Sequence, residues 1–383
     1  MMIQRLPLAL GVLLAIMAGC TIDVPNLPLD GLDSFADRLE NAFDNLVEDP
    51  LDTNPYPVLV GGDSSKTFYA TSLTDVKLNF QRPTNDVVLA SFVGPSNLYV
   101  REDKQRELIQ ALIPTGAYYG MSTDGTWLAY VQFDGTTDNP SYQVVARDID
   151  YGNAYVVFDS ATEALELDWP QGRLPMSDGR LAVLLMSEDW TTSQLRVVDL
   201  EAGEVEFEIV DQYMASPDLR GNYLAYALER DGEWQVVLKS LSNGETTVVA
   251  NEVRSEWGPT VMLTENAVVW SEDSDDTARI YRYDIPSGET RVWREDAQGT
   301  LAGANDNYFV TELYTYNDVT NVERISVYRY DASGNEKRLA NFRADGLAGQ
   351  TCILGDNAAW VNPDRDVILA PLAGGSRAQF RPF

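Results

Sequence analysis

The stretch that most constrains the fold is Pro217 to Ala250, in which polar turns separate three short apolar runs. The turns contain Asp231-Gly232 and Asn243-Gly244, dipeptides typical of tight β-hairpins. The three runs are Tyr223–Leu228, Trp234–Leu238 and Thr246–Ala250. Because they are nearly continuous in Leu, Val, Tyr and Ala, they indicate antiparallel strands with protein on both faces. Such a sheet needs further copies of itself to pack against.

Copies of this unit recur along most of the chain. The polar markers that precede the strongest apolar run of each unit are Asn85, Gly125, Gly179, Gly221, Glu265, Asp306 and Asp356. Successive markers lie 40 to 54 residues apart, about 45 on average, which is the repeat length of a four-stranded propeller blade. The sequence therefore predicts an all-β fold, a single β-propeller of seven four-stranded blades, with six or eight blades as the alternatives.

Three repeats carry a motif in addition to the period. The segments are Ser122–Tyr130, Ser177-Asp178-Gly179-Arg180-Leu181-Ala182-Val183 and Ser216-Pro217-Asp218-Leu219-Arg220-Gly221-Asn222-Tyr223-Leu224-Ala225-Tyr226. They resemble the SPDG…LAY signature of TolB-like, WD40-like propeller repeats, and the resemblance covers roughly residues 75 to 383. It implies the propeller architecture. Two segments are candidates for closing the ring: Lys66–Leu73 as a latch strand in the last sheet, or Arg377–Phe380 as the outer strand of that sheet.

The first nineteen residues have the layout of a secretory signal peptide, with Arg5, an apolar stretch and small residues before Cys20. The segment Met17-Ala18-Gly19-Cys20 resembles the bacterial lipobox. The resemblance implies cleavage before Cys20, a diacylglyceryl group on its thiol and, because Thr21 follows, an outer-membrane or cell-surface location. The alternative is a plain signal peptide or membrane anchor, although the apolar stretch is short for a spanning helix.

Residues 20–56 are expected to link the lipid anchor to the propeller, which we assign to residues 57–383. Pro25, Pro28 and Gly31 indicate a tether. A short amphipathic helix over about 32–48 is predicted by apolar residues at three- and four-residue intervals: Leu32, Phe35, Ala36, Leu39, Phe43, Leu46 and Val47. Its other face is acidic, unlike that of a membrane-surface helix. We therefore expect the helix to pack on protein, either the main domain or a partner.

The composition excludes several functions. The 383 residues include no histidine, which removes the commonest general base and metal ligand and every triad that contains one. The net charge of −31 repels nucleic-acid phosphates and anionic lipids, so no nucleic-acid partner is expected. No G-x-S-x-G motif of a serine hydrolase occurs. We assign no catalytic residue, no metal ligand and no cofactor.

Calcium is the metal that the chain's hard oxygen ligands suit best. The acidic clusters that could supply such ligands are Asp148/Asp150, Glu272–Asp276 and Asp364/Asp366. None has the spacing of a dedicated calcium-binding loop. The clusters are therefore interpreted as solvated hairpin tips. Cys352 lies in an apolar run and is interpreted as a buried thiol.

Aromatic residues at run or loop ends are the candidate partner-binding residues, namely Trp190, Tyr314 and Tyr316. The two tyrosines lie at or beside an extended hairpin loop predicted at Thr315–Glu323. We expect a non-enzymatic scaffold that binds an envelope protein and faces the periplasm or the cell surface. The alternatives are a propeller that binds glycan or peptidoglycan, with or without Ca²⁺, and a glycoside hydrolase that uses two carboxylates.

Overall fold

The computed structural model describes residues 58–380 except 62–66, 72–86, 91–96, 103–104, 112–117, 125, 134–141, 149–152, 164, 168–173, 188–190, 256–257, 275–276, 318–321, 345–348, 355 and 364–366. Side chains are described from Asp124 onward. Thirty strands in seven sheets make up the regular structure of this part, and no helix long and apolar enough to span a membrane occurs there. The predicted signal peptide, lipobox, tether and helix lie outside the described residues.

Each sheet is one blade, numbered along the chain. Blade 1 contains β1 (Val58–Gly61), β2 (Thr67–Thr71), β3 (Val87–Ala90), β4 (Asn97–Glu102) and β5 (Gln105–Ala111). Blade 2 contains β6 (Tyr118–Thr123), β7 (Trp127–Phe133), β8 (Tyr142–Asp148) and β9 (Ala154–Asp159). Blade 3 contains β10 (Leu165–Leu167), β11 (Met176–Ser177), β12 (Arg180–Ser187), β13 (Ser193–Asp199) and β14 (Glu204–Asp211). Blade 4 contains β15 (Met214–Arg220), β16 (Tyr223–Arg230), β17 (Glu233–Ser240) and β18 (Thr246–Val253).

The three remaining blades are regular four-stranded meanders. Blade 5 contains β19 (Val261–Leu263), β20 (Ala267–Ser274), β21 (Thr277–Asp284) and β22 (Glu289–Gln298). Blade 6 contains β23 (Thr300–Ala304), β24 (Tyr308–Asn317), β25 (Val322–Asp331) and β26 (Glu336–Arg343). Blade 7 contains β27 (Gly349–Leu354), β28 (Asn357–Val361), β29 (Val367–Pro371) and β30 (Ala378–Phe380).

The predicted seven-bladed all-β fold is confirmed, with two departures from four strands per blade. Blade 1 has the order β1-β3-β2-β4-β5, and its β2 and β3 pair in parallel. In blade 3 both β10 and β11 pair with β12, so the innermost strand consists of two pieces. The Pro217–Ala250 stretch folds as predicted, since its runs become β16, β17 and β18 in antiparallel register.

Local chemistry explains the hairpins of blade 4. Asp231 and Gly232 have φ angles of 54° and 84°, the two positive values that a two-residue type I′ turn requires. Gly244 has a φ of 73° and donates its N–H to the carbonyl of Ser240. Glycine takes up this conformation without steric cost. The Asp-Gly and Asn-Gly dipeptides therefore fix the register of three strands.

The innermost strands form a closed ring. Neighbouring strands around it are β1, β6, β11, β15, β19, β23 and β27, and β27 in turn contacts β1. The outer strand of the last sheet is β30, which pairs with β29, whereas β2 pairs with β3 and β4 inside blade 1. The Arg377–Phe380 alternative is therefore confirmed, and the Lys66–Leu73 latch is wrong. No strand is shared between the first and last described blades.

The core lies between the blades. Blades 4 and 5 pack through a cluster of buried residues that includes Ala225, Trp234, Val236 and Trp270. Blades 6 and 7 pack in the same way, with Val310 and Val327 against Trp360. Each blade thus covers the face of the next, as the doubly apolar runs require.

The repeat motif connects neighbouring blades by hydrogen bonds. Asp124 of blade 2 accepts one from the backbone N–H of Gly179 in blade 3 at 2.6 Å. In the same way Asp218 of blade 4 accepts one from Leu263 in blade 5, also at 2.6 Å. These carboxylates satisfy backbone donors that partly buried turns would otherwise leave unpaired. The motif residues therefore stabilise the ring.

The outer strands of blades 1 to 6 each carry a β-bulge, at which the register with the neighbouring strand shifts. Exposed valines precede the extra residue on four of them: Val156, Val205, Val248 and Val292. A bulge twists an edge strand and interrupts the row of hydrogen-bonding groups that another chain could join. The rim of the disc is therefore poorly suited to strand addition.

Burial of Tyr226 makes one part of the stability depend on pH. Its side chain is 4% exposed, and this burial, with the negative charge of Asp211, raises the pKa of Tyr226 to about 12. The phenol of the unfolded chain titrates near pH 10. Between those values the folded state keeps a proton that the unfolded state releases. The contribution of Tyr226 to the free energy of unfolding is therefore complete below pH 10 and is lost as the pH rises towards 12.

We therefore expect the free energy of unfolding to fall between pH 9 and 12 by about 2 kcal/mol less in Tyr226→Phe than in the wild type. Urea denaturation across this range measures the difference. Tyr155, whose pKa is also raised to about 12 by burial, is present in both proteins and cancels. Parallel stability curves for the two proteins would contradict the assignment.

Candidate docking face

Consecutive antiparallel strands place alternate turns at opposite ends of a blade, so the disc has two distinct faces. The turn face carries the first-to-second and third-to-fourth turns of blades 2 to 7, including Gly179, Gly221 and Gly244. The loop face carries the second-to-third hairpins and the connections to the next blade. The motif hydrogen bonds lie on the turn face, which is accordingly regular. The strands of the second-to-third hairpins differ in length from blade to blade.

Among the second-to-third hairpins, the blade 6 hairpin has the longest described strands, β24 and β25. Both strands have ten residues, whereas β16, β17, β20 and β21 have eight each and β28 and β29 have five each. The last four residues of β24, 314–317, are all exposed. The loop predicted at Thr315–Glu323 is thus mostly strand, because β24 continues to Asn317 and β25 begins at Val322.

The two sides of the blade 6 hairpin face different blades. Tyr314 pairs with Ile325 and Tyr316 pairs with Glu323, so these four residues share one side. Val310 lies on the same side and packs on blade 7. The tyrosines therefore project on the blade 7 side of the hairpin, and they are 57% and 37% exposed respectively.

Glu312 anchors the base of this side. Its side chain is buried, and Oε2 accepts hydrogen bonds from the backbone N–H of Thr351 at 3.0 Å and from the hydroxyl of Thr351. Thr351 lies in β27, so the carboxylate joins the hairpin to the innermost strand of blade 7. Among the described side chains, Glu312 is the one buried carboxylate.

The hydroxyl of Tyr314 is held close to this carboxylate. Desolvation of the hydroxyl raises the pKa of Tyr314 well above its ordinary value, and the negative charge of Glu312, a hydrogen bond to Glu312 and the charge of Glu323 raise it further. Tyr314 therefore stays neutral under physiological conditions, with its ring exposed and its hydroxyl turned towards Glu312. Such a ring is an amphipathic contact surface held in one orientation.

The structure places two of the three partner-binding residues predicted from the sequence next to each other. Tyr314 and Tyr316 lie two residues apart on one side of β24, whereas Trp190 lies outside the described residues, between β12 and β13. Cys352 is 6% exposed in β27, as the sequence predicts. No group of three or more acidic or sulfur ligands that could hold a metal occurs among the described residues.

Sequence reasoning missed Glu312 and Glu323 as neighbours of the tyrosines. A signal for Glu312 was present, because it interrupts the apolar run Tyr308–Leu313, and a charge inside a buried run requires a partner. Nothing comparable marked Glu323. Its position opposite Tyr316 depends on the hairpin register.

Comparison with solved structures identifies the fold. The β-propeller domain of the Trilobed protease from Pyrococcus furiosus, which has an open velcro topology, is 11% identical, with a TM-score of 0.52 over 85% of this chain and 95% of that one. A prolyl endopeptidase is 13% identical, with a TM-score of 0.53 over 90% of this chain and 54% of that one. These matches show a β-propeller.

TolB from Acinetobacter baumannii is also similar in structure, at 12% identity and a TM-score of 0.38, over 66% of this chain. This chain spans 63% of that TolB chain. No family model matches the sequence, and no curated protein matches it. The peptidases in this set are similar to this chain through their propeller domains, so the likeness concerns architecture.

Proposed function

We propose that this protein is an outer-membrane-anchored lipoprotein whose TolB-like β-propeller acts as a non-enzymatic scaffold for a protein partner in the cell envelope. The observation that carries the proposal is the blade 6 hairpin, which projects from the loop face and exposes Tyr314 and Tyr316. Tyrosine is enriched at protein interfaces, where its ring provides apolar contact at low entropic cost. The bulged outer strands leave the loop face as the better docking surface.

The proposed anchor rests on the sequence of the N-terminus. Met17, Ala18 and Gly19 stand where the lipobox precedes its cysteine, and Cys20 would carry the lipid. Thr21 favours the outer membrane. Residues 21–56 would then separate the propeller from the lipid surface. The protein's net charge of −31 would repel a surface of anionic lipids. The disc would face the periplasm or the cell surface.

The test is partner capture from gently crosslinked envelopes with the tagged, lipidated protein. We expect a discrete envelope protein to be enriched by the wild type and by Val248→Ala, which removes an exposed apolar side chain from the rim. Tyr314→Ala/Tyr316→Ala should reduce the enrichment at least tenfold, since interface tyrosines commonly contribute about 2 kcal/mol each. Cys20→Ala should abolish it by removing the anchor.

Two results would contradict the proposal. One is the absence of any enriched protein, and the other is equal enrichment by the wild type and the double tyrosine variant. Both tyrosines are exposed, so the double variant is expected to fold, and circular dichroism with thermal unfolding checks this. The Val248→Ala control separates a specific contact from a general loss of exposed apolar surface.

Exposed tyrosine rings beside carboxylates also favour a second candidate, a propeller that binds glycan or peptidoglycan. Sugar rings stack on aromatic faces, and a bound glycan would raise the melting temperature by binding the native state. Thermal unfolding with peptidoglycan fragments, with and without Ca²⁺, tests this candidate. A glycoside hydrolase is less well supported, because the buried Glu312 is held by Thr351 in a contact between blades.

A further inference from the structure

Three of the third-to-fourth turns on the turn face are capped by the strand that precedes them. In blades 3, 5 and 6 the third strand ends in an aspartate, namely Asp199, Asp284 and Asp331. Each of these carboxylates accepts hydrogen bonds from backbone N–H groups of its own turn, at 2.9–3.0 Å. An aspartate in this position satisfies donors that a tight turn leaves unpaired.

The capped turns stabilise the ionised form of the aspartate. In blade 6, hydrogen bonds from the side chain of Asn335 and from backbone N–H groups of the turn lower the pKa of Asp331. In blade 5, hydrogen bonds from Ser287 lower the pKa of Asp284. Because hydrogen bonds to a charged acceptor are stronger than those to a neutral one, this kind of turn is suited to hold an anion.

Blade 7 has such a turn without the aspartate. Its third strand, β29, ends in Pro371, whose side chain has no acceptor. The turn still closes on the backbone, since Gly374 donates its N–H to the carbonyl of Pro371 at 3.0 Å. No described residue accepts a hydrogen bond from the N–H of Ala373 or Gly375. The turn therefore presents donors that an aspartate caps in the other blades.

Two glycines leave this turn open. Gly374 and Gly375 have φ angles of 98° and 134°, values that L side chains rarely adopt. A Cβ atom on Gly374 would have no other atom within 4 Å, and residues 373–377 are all exposed. Backbone N–H groups of successive residues in a turn form a concave site for anions.

Three cationic side chains border the blade 7 turn. Arg329 of β25 donates a hydrogen bond from Nη1 to the carbonyl of Leu372 in the turn. Arg377, at the end of the turn, donates from Nη2 to the carbonyl of Leu339 in β26. Lys337 pairs with Arg329 across β25 and β26, so it lies on the same side of the sheet, towards blade 7. Lys337 is exposed and makes no ion pair with a described residue.

The carboxylates of two neighbouring turns do not cap the blade 7 turn. Asp331 is held by its own turn. Asp356 contacts the blade 7 turn through its backbone carbonyl, which accepts the N–H of Leu372 at 2.8 Å. The blade 7 turn thus combines N–H groups that have no described acceptor with an ammonium group that has no described counter-ion.

We propose that the blade 7 turn, residues 372–377, binds an oxyanion in place of the aspartate that caps blades 3, 5 and 6. A carboxylate or phosphate group accepts the N–H groups of Ala373 and Gly375 and pairs with the ammonium of Lys337. The site lies on the turn face, whereas the blade 6 hairpin projects from the loop face, so it does not depend on the proposed partner contact. In a chain of net charge −31, it is a local exception to the repulsion of anions.

The glycine pair provides a direct measurement. The chain contains two Gly-Gly pairs, Gly61-Gly62 and Gly374-Gly375. When only glycine carries the NMR-active isotopes of carbon and nitrogen, a spectrum that correlates each amide with the preceding carbonyl shows Gly62 and Gly375 alone. The full-length mature protein is titrated with sodium acetate and, separately, with sodium phosphate, while sodium chloride keeps the ionic strength constant. We expect the amide signal of Gly375 to shift until it saturates and that of Gly62 to stay in place.

The two anions distinguish the sources of the oxyanion. Saturation by acetate supports the site and assigns it to carboxylates, such as those of a protein segment. Saturation by phosphate alone also supports the site and assigns it to a ligand that carries phosphate. If neither anion shifts Gly375 more than Gly62, the inference is overturned.

Pro371→Asp supplies the aspartate that blade 7 lacks. Its carboxylate should occupy the turn N–H groups and abolish the shift of Gly375 by either anion. The matched control is Pro286→Asp, which adds the same charge to the exposed blade 5 turn that Asp284 already caps. It should leave the affinity within about twofold of the wild type, because salt screens a charge that is distant from the site. Equal loss of binding in the two variants would show repulsion by net charge alone and overturn the inference.

Lys337→Ala and Arg338→Ala test the cation. Each removes one exposed positive charge from β26, but the two residues pair with Arg329 and Tyr328 and so lie on opposite sides of the sheet. Lys337→Ala should weaken anion binding about threefold, the effect of losing one exposed ion pair, and Arg338→Ala should leave it unchanged. An unchanged Gly62 signal verifies that both variants are folded. Equal affinities of the two variants would overturn the inference.

Discussion

Gly299→Ala is expected to lower the free energy of unfolding by about 3–5 kcal/mol and to displace the blade 6 hairpin. Gly299 joins β22 to β23 with a φ of 77°, a left-handed conformation that costs an alanine about 1–2 kcal/mol. The larger cost is steric. A Cβ atom at this position would lie 2.3 Å from the carbonyl oxygen of Glu312 and 2.7 Å from the Cα of Leu313.

Both contacts are with the backbone of β24, so no side chain can rotate away to relieve them. Either the strand must move or the connection between blades 5 and 6 must change. Because Glu312 also holds Thr351, a displacement would reach blade 7 and the exposed residues Tyr314 and Tyr316 of β24. We therefore expect Gly299→Ala to lose partner capture together with stability, as measured by urea denaturation and by the crosslinking assay.

Gly232→Ala is the matched control for Gly299→Ala. Gly232 also has a positive φ, 84°, but no atom lies within 4 Å of the position that its Cβ would take. Its substitution should cost only the backbone strain, about 1–2 kcal/mol, and leave partner capture intact. Equal destabilisation by the two substitutions would show that the close approach to β24 does not determine the effect.

The periodicity of the sequence predicted the architecture because it reports strand length and turn position directly. Asp231-Gly232 demands a tight turn wherever it occurs, and the continuous run at Tyr223–Leu228 demands cover on both faces. These requirements are local, so they can be read without knowing which blade lies alongside. The irregular order of blade 1 has no such signal, because three of its four strand pairings are not hairpins between consecutive antiparallel strands.

The candidate site was less accessible to sequence reasoning. The exposure of Tyr314 and Tyr316 depends on how far β24 continues beyond its buried residues, 309–313, and packing against the neighbouring blades decides that. Their alternation in sequence indicates that they share a side, but only the packing of Val310 shows that this side faces blade 7. The neighbouring carboxylates follow from register, which a one-residue slip would reverse.

Trp270 is one of two buried tryptophans at the interface between blades 4 and 5. Trp270 is 1% exposed on β20, and its ring stacks on Tyr281 with centroids 5.2 Å apart and planes 3° from parallel. Trp270 belongs to the cluster that joins the two blades, and Tyr281 packs against the same cluster. Trp270→Ala would leave a cavity that sheets cannot close without losing register, so we expect a loss of about 3–5 kcal/mol in the free energy of unfolding.

Trp270→Phe should cost less than half as much, because a phenyl ring keeps the stacking partner and fills part of the space. Val248→Ala, on an exposed site of the same pair of blades, should change stability by less than about 0.5 kcal/mol. At temperatures where Trp270→Ala remains folded, its partner capture should equal that of the wild type, since Tyr314 and Tyr316 lie in blade 6 and the cavity lies between blades 4 and 5. A loss of partner capture in the folded variant would mean that the blades are coupled around the ring more tightly than their nearest-neighbour packing predicts.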